Sequence, residues 1–231
     1  MNCQQMHHLM TCLGLIALLL LGCSSAQVQS TATPIPIPAT PTLTSAAPVP
    51  ATPAPTWSTP LTRLDGKRAL FVIYNRFQED EYGIPRAILE QLGVSVSVAS
   101  STLDVRTGTG GVKVQPDLLL GDVYGADYDA IVFVGGTQYE IDNLDAQRIA
   151  QEAVWEGKLV AAICIAPITL AKAGLVEGKR VTASTKWDEL EEAGATVLTS
   201  ASVQRDGLII TADGPARSRK FGETIATALG E

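Results

Sequence analysis

The segment Leu-Val-Ala-Ala-Ile-Cys-Ile-Ala-Pro, residues 159–167, decides the fold class of this chain. Its first five residues form a continuous apolar run, which is typical of a strand buried on both faces of a sheet. Cys164 follows this run directly, and Ala166-Pro167 favours a helix start because proline fits the first turn of a helix. The segment therefore predicts a buried parallel strand, a sharp turn that carries Cys164, and a helix.

Similar apolar runs and helical patterns alternate on both sides of this segment. They predict strands at residues 69–74, 94–98 and 130–134, and helices at residues 84–92, 144–156 and 215–229. Residues 203–210 show a different pattern and predict a hairpin that turns at Asp206-Gly207. Strands that alternate with helices predict an α/β domain with a mainly parallel sheet, here over residues 63–231.

The N-terminal residues predict export and lipid anchoring. Residues 1–22 contain no charged side chain, and their apolar run is too short to span a bilayer, so we expect a signal peptide. The sequence Leu20-Leu21-Gly22-Cys23 resembles a bacterial lipoprotein box, in which the cysteine carries the lipid. This resemblance implies a protein anchored through Cys23 on the extracytoplasmic side of the cell membrane. The alternative is a buried hydrophobic helix with an incidental cysteine.

The predicted leader departs from the usual lipoprotein pattern in one respect. It has no lysine or arginine and offers only His7 and His8, which leaves open that Met6 or Met10 is the true start.

Residues 23–62 form a Pro- and Thr-rich segment with few large apolar side chains, which predicts a disordered stalk. Such a stalk would hold the domain away from the membrane, or would be a tether without further function.

Few residue types remain for chemistry beyond this stalk. Cys164 is the one cysteine after Cys23, so no disulfide is expected, and both histidines lie in the leader. The usual zinc ligands are therefore missing, and we expect neither a metal nor a cofactor. The net charge of −7 lies entirely beyond residue 62 and disfavours nucleic acids and acidic lipid surfaces as partners.

The ends of three predicted strands carry candidate site residues. Cys164 lies at a strand-to-helix junction, where a helix start lowers a thiol pKa and favours a nucleophile; the alternative is a small buried side chain. Gly135-Gly136 follows another strand, and its amides could face a developing negative charge. In the acidic run that follows the first strand, we expect Glu79 and Asp80 to be solvated partners of a helix dipole. The glycines at 108–111 lack the Lys-Ser/Thr of a phosphate-binding loop.

Over residues 66–229 the sequence resembles the DJ-1/PfpI family, which is also described as class I glutamine amidotransferase-like. The resemblance rests on residues 77–93, 134–136, 162–167, 206–211 and 214–215. It implies a flavodoxin-like three-layer sandwich with Cys164 on a nucleophile elbow, and a homo-oligomer. It also implies that Glu81 contacts this cysteine, and that the amides of Gly136 and Ile165 form the oxyanion site.

Two positions depart from the family's histidine chemistry. Ile165 stands where hydrolase members carry a histidine, and Ser184 stands where other members carry one after a later strand. The domain has no histidine to form a Cys-His dyad, so peptidase activity is the least favoured hypothesis. The sequence then leaves three hypotheses: a Cys164–Glu81 glyoxalase or deglycase that acts on small carbonyls, a redox-sensing or protective binding domain, or an inactive assembly domain.

Overall fold

The computed structural model describes residues 62–231. The predicted leader, Cys23 and the predicted stalk up to residue 61 lie outside the described residues. The strands are β1 Arg68–Val72, β2 Ser95–Ser100, β3 Arg106–Thr107, β4 Lys113–Val114, β5 Leu118–Leu119, β6 Ala130–Phe133, β7 Leu159–Ile163, β8 Arg180–Val181, β9 Thr196–Val197, β10 Val203–Asp206 and β11 Ile209–Ala212. The α-helices are α1 Glu79–Gln91, α2 Leu144–Trp155, α3 Pro167–Lys172, α4 Trp187–Glu192 and α5 Ser218–Leu229.

Seven strands form the central sheet in the order β10-β11-β7-β6-β1-β2-β5. All neighbours are parallel except β10 and β11, which form the predicted hairpin around Gly207. Gly207 has φ +63°, a left-handed conformation that glycine adopts without strain. The predicted α/β fold with a mainly parallel sheet is confirmed.

Helices cover both faces of this sheet and make three layers. Along β1, Ala69 and Phe71 contact the core under α1 and α5, whereas Leu70 and Val72 contact the core under α2, α3 and α4. The same alternation holds along β6 and β7, whose residues are all buried. Because both faces are covered, the central strands are continuous apolar runs, which is why the sequence pattern identified them.

Several short elements were not predicted. These are the pairs β3–β4 and β8–β9, the strand β5 and the six-residue helix α4. Each is too short to show a hydrophobic period. No helix within residues 62–231 is long and apolar enough to cross a membrane.

The sheet order brings the predicted site together. Strands β7, β6 and β1 are neighbours, and the residues that follow their carboxyl ends include Cys164, Gly135-Gly136 and the start of α1. Parallel strands end at one edge of the sheet, so three distant segments of sequence meet in one crevice.

Candidate functional site

Cys164 lies on a strained turn between β7 and α3. Its φ of +66° is left-handed, which is uncommon for a residue other than glycine. The strand ladder holds it in place, since its amide donates to the Ala212 carbonyl at 2.9 Å and its own carbonyl accepts from the Ser184 amide at 3.0 Å. Its side chain is half-buried. This strand, strained residue and helix form the geometry of a nucleophile elbow.

Glu81 lies in the first turn of α1 and is fully buried. Its Oε2 accepts a hydrogen bond from the Gly135 amide at 3.1 Å. Its Oε1 is also buried and has no hydrogen-bond partner among residues 62–231. Burial raises the pKa of this carboxyl to about 7, although contact with the Cys164 side chain and the Gly135 amide both favour the ionised form. The carboxyl group can therefore gain and lose a proton near neutral pH.

Gly135 separates the carboxyl group from the cysteine. A Cβ at this position would lie 2.7 Å from the Cys164 Cβ and 2.7 Å from the Glu81 Oε2, so a larger residue would displace one of them. Because the Gly135 amide already donates to Glu81, it positions the Glu81 carboxyl and is not free to bind an oxyanion.

The amides of Gly136 and Ile165 remain as oxyanion donors. Neither donates a backbone hydrogen bond to another described residue. The Ile165 amide contacts the Cys164 sulfur and favours its thiolate. Glycine is required at 136 because a Cβ there would lie 2.5 Å from the Arg76 carbonyl oxygen. The oxyanion role of these two amides stays a prediction.

Ser184 contributes the remaining polar contact to the sulfur. Its Oγ lies 3.2 Å from the Cys164 Sγ. By the family resemblance, other members carry a histidine at this position of the sequence. A hydroxyl can donate to a thiolate, but unlike an imidazole it cannot take up a proton near neutral pH. Ser184 can therefore stabilise the charged sulfur without acting as its base.

The pKa of the Cys164 thiol contradicts the sequence prediction. Burial and the nearby Glu81 charge raise this pKa, and together they exceed the opposing effects of Ser184 and the Ile165 amide. The start of the six-residue helix α3 does not offset this rise in the thiol pKa. The thiolate is therefore favoured most when the Glu81 carboxyl is protonated and uncharged, because the Glu81 charge is one of the causes of the raised thiol pKa.

Glu79 has a role that the sequence did not indicate. Its Oε1 accepts from the Gly110 amide at 2.9 Å and the Val112 amide at 2.8 Å. It thus clamps the glycine-rich turn at 108–111 instead of being a solvated partner of the helix dipole, as expected. The partner lies about thirty residues further along the chain, which local sequence patterns do not reveal. Within residues 62–231, no three Cys, His, Asp or Glu side chains cluster in a way that could hold a metal ion.

Comparison with known proteins agrees with this geometry. The model of the DJ-1/PfpI family matches residues 67–228, which is more than half of the chain. An uncharacterised protein of Methanocaldococcus jannaschii is 35% identical over 159 residues, which cover 66% of this chain and 77% of that protein. A Pyrococcus furiosus protein named deglycase PfpI is 36% identical over 117 residues, covering 50% of this chain and 70% of the relative.

Solved structures show the same fold. The ThiJ/PfpI domain protein of Brachyspira murdochii superposes with a TM-score of 0.68 at 29% identity, covering 71% of this chain and 98% of its own. Drosophila melanogaster DJ-1beta superposes with a TM-score of 0.64 at 28% identity, covering 71% of this chain and 90% of its own. The predicted flavodoxin-like sandwich is therefore confirmed, and the chain belongs to the DJ-1/PfpI family.

Proposed function

We propose that Cys164 adds to small reactive carbonyl compounds, with Glu81 moving the proton, in a domain that Cys23 anchors at the outer face of the cell membrane. The observation that carries this proposal is the buried Glu81 carboxyl, which contacts the half-buried Cys164 thiol and has a pKa of about 7. A general acid or base is most effective when its pKa is close to the working pH. The relative named deglycase PfpI supports the same class of chemistry.

The reaction can be written for methylglyoxal with these residues alone. Glu81 takes the thiol proton, and the sulfur of Cys164 bonds to the aldehyde carbon, whose oxygen becomes negative and faces the amides of Gly136 and Ile165. Glu81 then returns a proton while the hydrogen of the first carbon moves, as a proton, to the second carbon. The resulting thioester is hydrolysed by water, which releases lactate and the free thiol.

This sequence of steps balances without an external redox partner. Methylglyoxal and one water give lactate, because the first carbon is oxidised and the second is reduced by the same amount. The lack of a histidine in residues 62–231 is therefore compatible with the chemistry, provided that Glu81 carries the proton in both directions.

The test is lactate formation from methylglyoxal by the full chain, purified in mild detergent. We expect Cys164→Ser and Glu81→Gln each to lower the rate at least about 100-fold, the scale of a lost proton-transfer group or nucleophile. Asp122→Asn is the control, since it removes an exposed carboxylate that makes no ion pair with a described residue, and it should leave the rate within about twofold. Absence of turnover, or turnover that survives Cys164→Ser, would refute the proposal.

A second candidate function is a redox-sensitive or protective domain without turnover. The partnerless Oε1 of Glu81 favours it, because a protonated carboxyl there could donate to an oxygen on an oxidised sulfur. Peroxide treatment followed by intact-mass measurement tests this: the thiolate gains an oxygen and peroxide leaves as water. Stable oxidation at Cys164 that Glu81→Gln abolishes, in a protein inactive on methylglyoxal, would favour this function over the first.

The site gives peptidase activity no support, because neither Ile165 nor Ser184 supplies an imidazole. Self-association stays a prediction from the family resemblance.

A further inference from the structure

A cavity that the proposed reaction does not use opens beside the nucleophile. Residues 184–189 line it, and its volume is about 360 Å³. Ser184 belongs to both places, since its Oγ lies 3.2 Å from the Cys164 Sγ and the residue also lines the cavity. A compound whose carbonyl carbon is bound at the sulfur can therefore extend its substituent into this space. The volume lies in the range of small-molecule sites.

Trp187 is the largest apolar side chain among the residues that line this cavity. It is the first residue of α4 and remains 43% exposed, so part of its ring is open to a ligand. Its Nε1 donates to the Ala183 carbonyl at 2.8 Å, which fixes the ring relative to the sheet edge. A fixed indole loses little entropy when a flat group packs on it. Its placement suits a planar apolar substituent.

The backbone that presents Trp187 is strained. Lys186 has φ +66°, and among residues 62–231 the non-glycine residues with positive φ are Arg76, Cys164 and Lys186. Such a conformation is unfavourable and persists where the surrounding structure enforces it, often at ligand sites. The Leu190 amide donates to the Lys186 carbonyl at 3.0 Å, which closes the first turn of α4 behind the strained residue. The conformation of Lys186 sets where α4 begins and so places Trp187 at the cavity.

The charges of the cavity select against anions. The Lys186 ammonium pairs with Glu189 at 2.5 Å, so its charge is compensated. Asp188 forms no ion pair with a described residue and leaves the cavity with a net negative charge. A carboxylate on the substituent would be repelled.

We propose that the cavity lined by residues 184–189 binds a neutral planar substituent of the carbonyl substrate, with Trp187 as the stacking surface. The site would then prefer aryl-substituted over methyl-substituted α-oxoaldehydes. This preference rests on the proposed function, whereas binding of the planar group to Trp187 is measurable without turnover.

The first test compares kcat/KM for phenylglyoxal and methylglyoxal in the full chain. We expect phenylglyoxal to be preferred at least about tenfold, within the range that an apolar pocket achieves. Trp187→Ala should reduce this ratio to within about threefold of unity. Trp155→Ala is the matched control, because this 88% exposed tryptophan lies at the C-terminal end of α2, and it should leave the ratio unchanged. Equal ratios in wild type and Trp187→Ala would overturn the proposal.

The second test measures binding without chemistry. Acetophenone and 4-acetylbenzoate have the same planar shape and differ in a carboxylate, and their binding to the full chain can be followed by ligand-observed NMR. We expect acetophenone to bind at least about tenfold more tightly than 4-acetylbenzoate. Asp188→Asn should reduce this difference in affinity, and Trp187→Ala should lower the affinity for acetophenone about tenfold.

The two tests separate the outcomes. If acetophenone binds in a Trp187-dependent way but no oxoaldehyde is turned over, the proposed function fails and the cavity assignment stands. If methylglyoxal is turned over but Trp187→Ala changes neither the turnover of phenylglyoxal nor the binding of acetophenone, the function stands and the cavity assignment is overturned.

Discussion

At the scale of single residues, Glu81 and Cys164 determine what the site can do. Burial disfavours the charged form of each group, and the Glu81 charge further disfavours the Cys164 thiolate. When the pair carries one negative charge, it does so either as carboxylate and thiol or as carboxylic acid and thiolate. The second of these forms is the reactive one, and Ser184 and the Ile165 amide stabilise its sulfur.

The raised pKa of Glu81 predicts a pH-dependent stability. In the unfolded chain this carboxyl ionises near 4.5 and in the folded protein near 7, so the folded state binds the proton more tightly. The free energy of unfolding should then fall as pH rises from about 4.5 to about 7, and it should stay at the lower value above pH 7. Glu81→Gln removes the cost, and we expect it to stabilise the protein by about 2–3 kcal/mol at pH 7.5 but by less than about 1 kcal/mol at pH 4.5.

Urea unfolding of the two proteins at both pH values measures this difference. Asp122→Asn serves as the control, and we expect it to change the free energy of unfolding by a similar, small amount at both pH values. An equal effect of Glu81→Gln at pH 4.5 and pH 7.5 would mean that this carboxyl ionises normally in the folded protein.

At the scale of elements, the buried strands could be predicted and the short segments at the crevice could not. The pattern gives β7 its observed bounds of Leu159–Ile163, because a strand buried on both faces is uniformly apolar. It also identifies Cys164 and Gly135-Gly136, because residues at adjacent strand ends meet at one edge of the sheet. Helix α4 is short and mostly charged, so the Trp187 cavity had no recognisable signal before the structure.

Packing between α1 and α5 depends on a close approach at Gly222. A Cβ at this position would lie 2.8 Å from the Pro85 Cα and 2.9 Å from the Ile88 Cδ1, so an alanine must push the helices apart. We expect Gly222→Ala to destabilise the protein by about 1–3 kcal/mol, as overpacking does. Gly83 is the matched control within α1, because a Cβ there meets no atom within 4 Å.

Alanine at Gly83 should stabilise the protein by about 0.5–1 kcal/mol through its higher helix propensity. Thermal or urea unfolding of the two variants should therefore give shifts of opposite sign. Similar shifts in both would show that α1 and α5 do not touch as closely as the structure has them.

At the scale of the whole molecule, location would decide which compounds reach Cys164. The cell interior holds many competing thiols, whereas a domain outside the membrane would meet reactive carbonyls or peroxide directly. The acidic charge of residues 63–231 disfavours close contact with anionic lipid, so a tether of some length would suit it. The proposed anchor at Cys23 therefore bears on substrate access as well as on location.

Cys23→Ser tests this anchor. We expect the full chain to fractionate with membranes and to incorporate labelled fatty acid, and we expect Cys23→Ser to lose the label. Cys12→Ser is the matched control, because it changes a cysteine of the same predicted leader that lies outside the lipoprotein box, and it should keep the label. Since one acyl chain gives weak membrane binding and several give stable binding, the labelled protein should resist extraction by high salt and yield to detergent. Salt-extractable protein, or label that persists in Cys23→Ser, would show that the chain is not anchored through this residue.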